Sequence, residues 1–355
     1  MIFKTSVPNI MSTKIDVLRS PYDRQIAAWL VTCAATIFGM ILLGGITRLT
    51  DSGLSMVDWK PIAGIIPPLT QADWQEMFLK YQQFPEYQKT NFDMTLDEFK
   101  PIFMYEYLHR MLGRFIGILF VIPFLFFFIS KRIKPGLTPK LLILLSLGAS
   151  QGLLGWYMVQ SGLVDNPHVS QYRLTAHLGL AVFIYGIIFW TVMDLVALPK
   201  YRLPPLKNFS YAITAMIFLM ILSGGLVAGT RAGIPYPTWP LMGDSFIPPG
   251  LYSLEPFWLS AFEDMLTIQF NHRIFAYIIS FSVVIFAFIT LRAKLASPFR
   301  IAIFGFLGIL GLQVTLGIST LIFYIPIPIA AAHQVCAVAL LSASLFVSHC
   351  FKNSI

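Results

Sequence analysis

FGMILLGGITR at 38–48 is answered by FLMILSGGLVAGTR at 218–231. Both are apolar runs, broken by a glycine pair and closed by an arginine. The echo continues downstream. VDWKPIAGIIPP at 57–68 is matched by PTWPLMGDSFIPP at 237–249, EYLHR at 106–110 by QFNHR at 269–273, and SQGLLG at 150–155 by LQVTLG at 312–317. The offset between the copies is widest at the glycine pair, Gly44 against Gly224. It is shorter and almost constant from there on, for His109 against His272, Gln151 against Gln313 and His177 against His333. The large step falls between the glycines and the first histidines, in the first outer loop, which therefore carries an insertion. The chain is a tandem repeat.

Each repeat is built for a bilayer. The composition is 56% apolar and 12% charged, with mean hydropathy +0.71. Soluble domains carry roughly twice that share of charge. Apolar runs near 25–46, 104–130, 140–162, 172–198, 208–229, 265–291, 300–324 and 329–350 approach or exceed the about 20 residues a span needs. Four spans per repeat is an even number, so the repeats are parallel, related by an axis along the membrane normal. The expected fold is an all-α integral membrane protein, with eight transmembrane helices as two tandem parallel four-helix bundles. The expected divisions are an N-terminal segment 1–24, a first half 25–198 with a large outer loop 47–103, a linker 199–207 and a second half 208–351.

Charge sets the orientation. With the N-terminus cytoplasmic, the inner segments hold Lys4, Lys14, Arg19, Arg24, Lys131, Arg132, Lys134, Lys140, Lys200, Arg202, Lys207, Arg292, Lys294, Arg300 and Lys352, against only Asp16, Asp23 and Asp194. Both termini are therefore expected on the cytoplasmic side of a bacterial inner membrane. Lipid headgroups and topology account for the net charge of +8 without nucleic acid. Residues 1–24 lack an apolar signal core and form no strong amphipathic helix, which argues against a signal peptide and a mitochondrial presequence. Cys33, Cys336 and Cys350 fall in or at the ends of spans and form no readable disulfide framework or thiolate metal site. In the outer loop, Thr70 caps QADWQEMFLKYQQF, and Thr95 with Glu98 makes a capping box ahead of FKPIF. Two short amphipathic helices on the outer membrane surface are expected there.

Four histidines occupy repeat-equivalent places. His109, His177, His272 and His333 are followed, at nearly equal distances along the chain, by Lys131, Lys200, Arg292 and Lys352 at the inner helix ends. Each separation is roughly 20 residues, about 30 Å of helix, so all four lie at a similar depth in the outer half. An ionisable residue within a span is costly and is functional by default. His109 can face His177, and His272 can face His333, on parallel neighbouring helices. Two imidazoles at one height are how helical proteins ligate haem iron. His168, in an outer loop, and His349, at an inner helix end, lack this support. Arg110 and Arg273 follow two of the histidines and are candidates to pair with haem propionates. Arg48 and Arg231 are further candidates. Glu106 lies one turn before His109, where the second half has Gln269. A carboxyl beside only one histidine pair is equipped to move protons there; an ion pair with Arg110 is the plainer use of it. One site then holds a permanent cofactor and the other does chemistry.

GGITRLTDSGLSMVDWKPIAGIIPP (44–68), MTLDEFKPIFMYEYLHRMLGR (94–114), TAHLGLA (175–181), GTRAG (229–233), FNHR (270–273) and AAHQ (331–334) together resemble the haem A synthase family, in its mitochondrial and alphaproteobacterial type. The resemblance spans nearly the whole chain. It implies conversion of haem O to haem A, by oxidation of the C8 methyl to a formyl group through hydroxylation. It implies haem b as cofactor on His272 and His333, substrate haem on His109 and His177, and an essential Glu106. The expected partners are haem O as substrate, a haem O synthase, an electron donor protein and the lipid bilayer, with a homo-oligomer left open. The cysteine pair of the shorter bacterial type is absent, so a thiol role does not carry over. The residues also fit a diheme b-type electron-transfer cytochrome or a haem carrier for oxidase assembly. A prenyl transferase is disfavoured, because no aspartate-rich pair for magnesium and diphosphate is present.

Overall fold

The computed structural model describes residues 21–58, 63–165, 167–196, 198–199, 201, 203–293 and 295–352. The N-terminal basic residues Lys4, Lys14 and Arg19, the linker residues Lys200 and Arg202, Lys294, and the WKPI of the first outer loop lie outside the described residues. Among those described, eight helices are long and apolar enough to cross a membrane. They are α1 (Asp23–Leu49), α4 (Leu96–Ile129), α5 (Thr138–Gln160), α6 (Gln171–Val196), α7 (Pro204–Thr230), α9 (Met265–Arg292), α10 (Ser297–Ile322) and α11 (Ile327–Cys350). Shorter helices α2 (Gln71–Tyr81), α3 (Pro85–Lys89) and α8 (Ser260–Glu263) lie in the outer loops. α1, α4, α7 and α10 run about a turn or more beyond the apolar stretch at one end, because the hydrogen-bond ladder continues into the polar flank.

The packing repeats helix for helix. In the first half α1 touches α4 and α6, and α5 touches α4 and α6. In the second half α7 touches α9 and α11, and α10 touches α9 and α11. Each quartet is thus a closed ring. The two rings meet where α6 packs on α7 and α11, and α1 packs on α11. Large apolar side chains such as Phe115, Ile122, Phe281 and Phe288 stay exposed on the outer helix faces, the surface that lipid would cover.

The quoted glycine pairs have two jobs. The second glycine of each pair lets the halves approach. A Cβ on Gly45 would collide with the Gln334 amide of α11, and one on Gly225 would lie 3.3 Å from Cα of Thr175 on α6. Gln334 donates to the carbonyl of Ile41 at 2.8 Å, tying α11 to α1. One turn on, a Cβ on Gly229 would sit 2.8 Å from Cα of Gln171. Small residues at such crossings are how membrane helices gain close contact without a hydrophobic driving force.

Polar clasps hold both ends of the seam. On the outer side Asp51 accepts from Arg48 at 2.9 Å and from Arg231 at 2.7 Å. Arg48 and Arg231, weighed above as binding candidates, here share one carboxylate. At the inner end His349 bonds Asp194 at 2.9 Å, and Lys352 donates to the same carboxylate at 2.8 Å. His349 is fully buried and packs edge-on to Trp190. Its role is structural, joining α11 to α6.

The outer loop departs from expectation. Thr95 and Glu98 do form a capping box, but it opens α4 itself rather than a separate surface helix. The helix runs on through Pro101, whose missing N–H removes only one bond near the helix start. α4 therefore projects beyond the apolar stretch and offers a face to the loop. Trp74, Met77, Phe78 and Tyr81 pack there around Phe99 and Phe103 as a second small core. They bury their stripe against protein, not along the membrane surface.

Candidate functional site

The first glycine of each pair serves the histidines. Gly44 on α1 lies against the Cε1 edge of the His109 ring: a Cβ there would stand 3.0 Å from His109 Cε1. The same virtual atom on Gly155 of α5 would be 2.9 Å from His177 Cε1. For Gly224 of α7 and His272 the distance is 3.5 Å, and for Gly317 of α10 and His333 it is 2.8 Å. Every imidazole thus lies edge-on against a glycine of an adjacent helix in its own ring. A side chain there would press on three of the four rings closely enough to move them.

The histidines of a pair do not come from neighbouring helices, as the sequence led us to expect. α4 and α6 sit across the first ring, and α9 and α11 across the second. The reason is connectivity: α1 and α5 wedge between α4 and α6, as α7 and α10 do between α9 and α11. His109 is within electrostatic range of His177, and His272 of His333. Two imidazoles brought together from opposite helices, each with its Cε1 edge against a glycine, are a donor set that would hold a haem iron. Among the described residues no group of three or more His, Cys, Asp or Glu could hold a bare metal ion.

The pairs differ in their surroundings. His272 Nδ1 bonds Ser223 Oγ at 3.0 Å, and His333 Nδ1 donates to the carbonyl of Gln313 at 3.2 Å. In the first half the Nδ1 atoms of His109 and His177 are buried without a partner. Gln151 donates to the backbone carbonyl of His177 at 3.0 Å and stands 3.4 Å from His177 Nε2, on the other side of the ring.

Glu106 and Arg110 act together. Glu106 is 3% exposed. Its Oε1 accepts from Arg110 Nη2 at 2.5 Å, and its Oε2 accepts from Ser55 Oγ at 2.8 Å and Met56 N at 2.7 Å. Every hydrogen bond it makes is accepted. Arg110 also donates to the carbonyls of Met56 and Asp58 at 2.6 and 3.0 Å. The second half repeats the device. Arg273 donates to the carbonyls of Tyr236 and Leu241 at 3.0 and 3.1 Å, and Gln269 donates to Tyr236 at 3.1 Å. Met56 and Tyr236 are separated by the same offset as Gly44 and Gly224, so both arginines staple the same point of the outer loop. An amide can give a proton to that loop and a carboxylate can only take one. The Glu/Gln difference therefore reverses the polarity of the contact. Arg273 keeps its Nε buried without a partner.

Residues 27–345 match the family described as cytochrome oxidase assembly protein, COX15-CtaA. The chain belongs to that family. It is 51% identical to a heme A synthase of Nitrosospira multiformis over 332 residues, covering 92% of this chain and 93% of the relative. It is 46% identical over 326 residues to one of Parvibaculum lavamentivorans, with 91% and 93% covered. It is 42% identical over 336 residues to heme A synthase COX15 of Homo sapiens, with 91% and 82% covered. The family match runs from α1 into α11 and so takes in all four histidines.

One buried carboxyl escaped the sequence reading. Glu86, at the start of α3, is 6% exposed and accepts from Tyr81 Oη at 3.0 Å. It lies within electrostatic range of Glu106 and Asp51. A glutamate in a helix first turn ordinarily reads as an exposed partner of the helix dipole; only the folded loop buries this one. Burial pushes its carboxyl up to about 8 from 4.5, helped by the two nearby carboxylates. Folding therefore retains a proton that the unfolded loop releases. That contribution is full below about 4.5 and is lost as pH rises through about 8. Hydrogen-exchange protection over 71–91 should fall between pH 6 and pH 9 in the native chain and stay level in Glu86→Gln. An equal fall in the variant would show that Glu86 is not the group responsible.

Proposed function

We propose that this chain is a haem A synthase, converting haem O to haem A by oxidising the C8 methyl to a formyl group through hydroxylation. The observation that carries it is the unequal pair of sites: four glycine-backed histidines in two rings, with a carboxylate beside one pair alone. The second ring, with both Nδ1 atoms tied, holds haem b on His272 and His333 as the resident cofactor. The first ring binds the substrate haem O between His109 and His177. The iron of the resident group supplies electron transfer. The chain's own residues bind, orient and enclose. Gly44, Gly155, Gly224 and Gly317 set the ring planes. Arg110 and Arg273 hold the outer loops over the rings, and contact between their guanidiniums and the propionates belongs to the same proposal. Glu106 stands one helical turn from His109 and links that turn to the loop. It is the group placed to hold or pass a proton at the substrate's edge.

The protein would draw haem O from a haem O synthase and exchange electrons with a donor protein. A pure electron-transfer cytochrome needs no carboxylate on one side only, and a haem carrier turns nothing over. Mass analysis of haems extracted from membranes bearing a haem O source, with and without this chain, tests the reading. Haem A should form only with the chain present. Haem O left unconverted would leave the cytochrome or the carrier standing.

The site lies in the half of the spans away from the basic ends, so it faces the outer side of a bacterial inner membrane with both termini cytoplasmic. A reporter fused after Lys134 should read cytoplasmic and one near Gln88 external. An external signal after Lys134 would break this orientation.

A further inference from the structure

The two glycine-pair motifs differ at the residue before the first glycine. It is Ser223 in the second half and Leu43 in the first. Ser223 Oγ reaches His272 Nδ1 at 3.0 Å. Leucine offers no such group, and His109 Nδ1 is buried without a partner. The second histidine of each ring shows the same contrast. His333 Nδ1 reaches the Gln313 carbonyl at 3.2 Å, whereas His177 Nδ1 is buried and unpartnered.

A carbonyl only accepts, so His333 carries its proton on Nδ1 and presents a bare lone pair at Nε2. Donation from His272 Nδ1–H to Ser223 Oγ sets the same tautomer. A hydrogen bond on the far nitrogen fixes ring orientation and raises ligand basicity, and its loss typically costs about 10–100-fold in metal affinity. The first ring has neither bond.

We propose that Ser223 is a positioning residue that makes the second ring a retaining haem site, and that Leu43 leaves the first ring a releasing one. This rests on the reading that the second ring holds the resident haem and the first the substrate. A substrate site must let its product go. Two imidazoles with no partner at Nδ1 are weaker donors to a metal than two that are tied. One residue in an otherwise repeated motif thus separates cofactor from substrate.

The test uses the purified full chain with its resident haem. Two quantities are read: the reduction potential of the low-spin haem, and the rate of haem transfer to excess apomyoglobin. Ser223→Ala should raise the potential, because a less basic imidazole stabilises ferric iron less. It should also speed transfer by roughly 10-fold or more. Ser223→Thr keeps the hydroxyl and should restore both. In the first ring, Leu43→Ser supplies the missing acceptor. Haemin loaded into that ring should then leave for apomyoglobin roughly 10-fold more slowly than from the native chain. A Ser223→Ala protein with native potential and transfer rate, or a Leu43→Ser protein with native release, overturns the proposal. His272→Ala separates the two levels. If that variant loses the low-spin signal while Ser223→Ala changes nothing, the site assignment stands and the role of Ser223 falls. If it keeps the signal, the assignment beneath has failed.

Discussion

His272→Ala or His333→Ala removes the low-spin b-type spectrum of the purified protein. Each variant should keep the helices but would leave one histidine to hold the haem in place of two, giving a five-coordinate or empty site. The imidazole–iron bonds supply much of the retention, so most of the bound haem should be lost on purification, not merely altered in colour. Both histidines sit half-buried against glycine, and alanine there introduces no clash. Loss of signal is thus expected without loss of fold. Haem content per protein and the optical spectrum are the measurements. A normal low-spin spectrum in both variants would falsify the second-ring assignment.

Glu106→Gln is expected to lower haem A formation by roughly 10²-fold or more, the scale of losing a positioned acid or base. Haem O or an alcohol intermediate should accumulate. The variant makes the first half resemble the second, where Gln269 already bonds the outer loop, so insertion and folding should survive. The carboxylate now takes bonds from Arg110, Ser55 and Met56. An amide can satisfy the loop or the guanidinium, but not both, because its nitrogen would meet Arg110 donor to donor. Some loosening of residues 52–58 is therefore expected alongside the catalytic loss. The ratio of haem A to haem O in membranes is read together with the haem b spectrum. Normal haem A output would mean that Glu106 only holds the loop. Loss of haem b along with activity would mean that it supports both rings.

The spans and the repeat-equivalent places of the four histidines were legible because each is a statement about one helix at a time. A run of about 20 apolar residues crosses a bilayer whatever surrounds it. A histidine at a fixed distance from an inner basic anchor has a depth before it has a neighbour. The position of Thr95 was also readable as a cap. Which helix it caps was not, since nothing local distinguishes a surface helix from the projecting start of α4. Glu86 illustrates the same limit. It is one glutamate in a short polar helix, and its burial comes from Tyr81 and the packed loop around it.

The amino-acid sequence by itself determined that the chain crosses the membrane, that its sequence is doubled, and that four histidines fall at repeat-equivalent places. These follow from hydropathy, spacing and the rise of a helix, which act along the chain. Only the tertiary structure decided that the paired histidines come from helices across a ring, that the two glycines of each motif face different partners, and that one pair has its Nδ1 atoms tied while the other does not. Those are matters of which backbone approaches which. They are fixed by side-chain volumes and by hydrogen bonds between segments distant in the chain, such as Gln313 to His333 and Ile41 to Gln334.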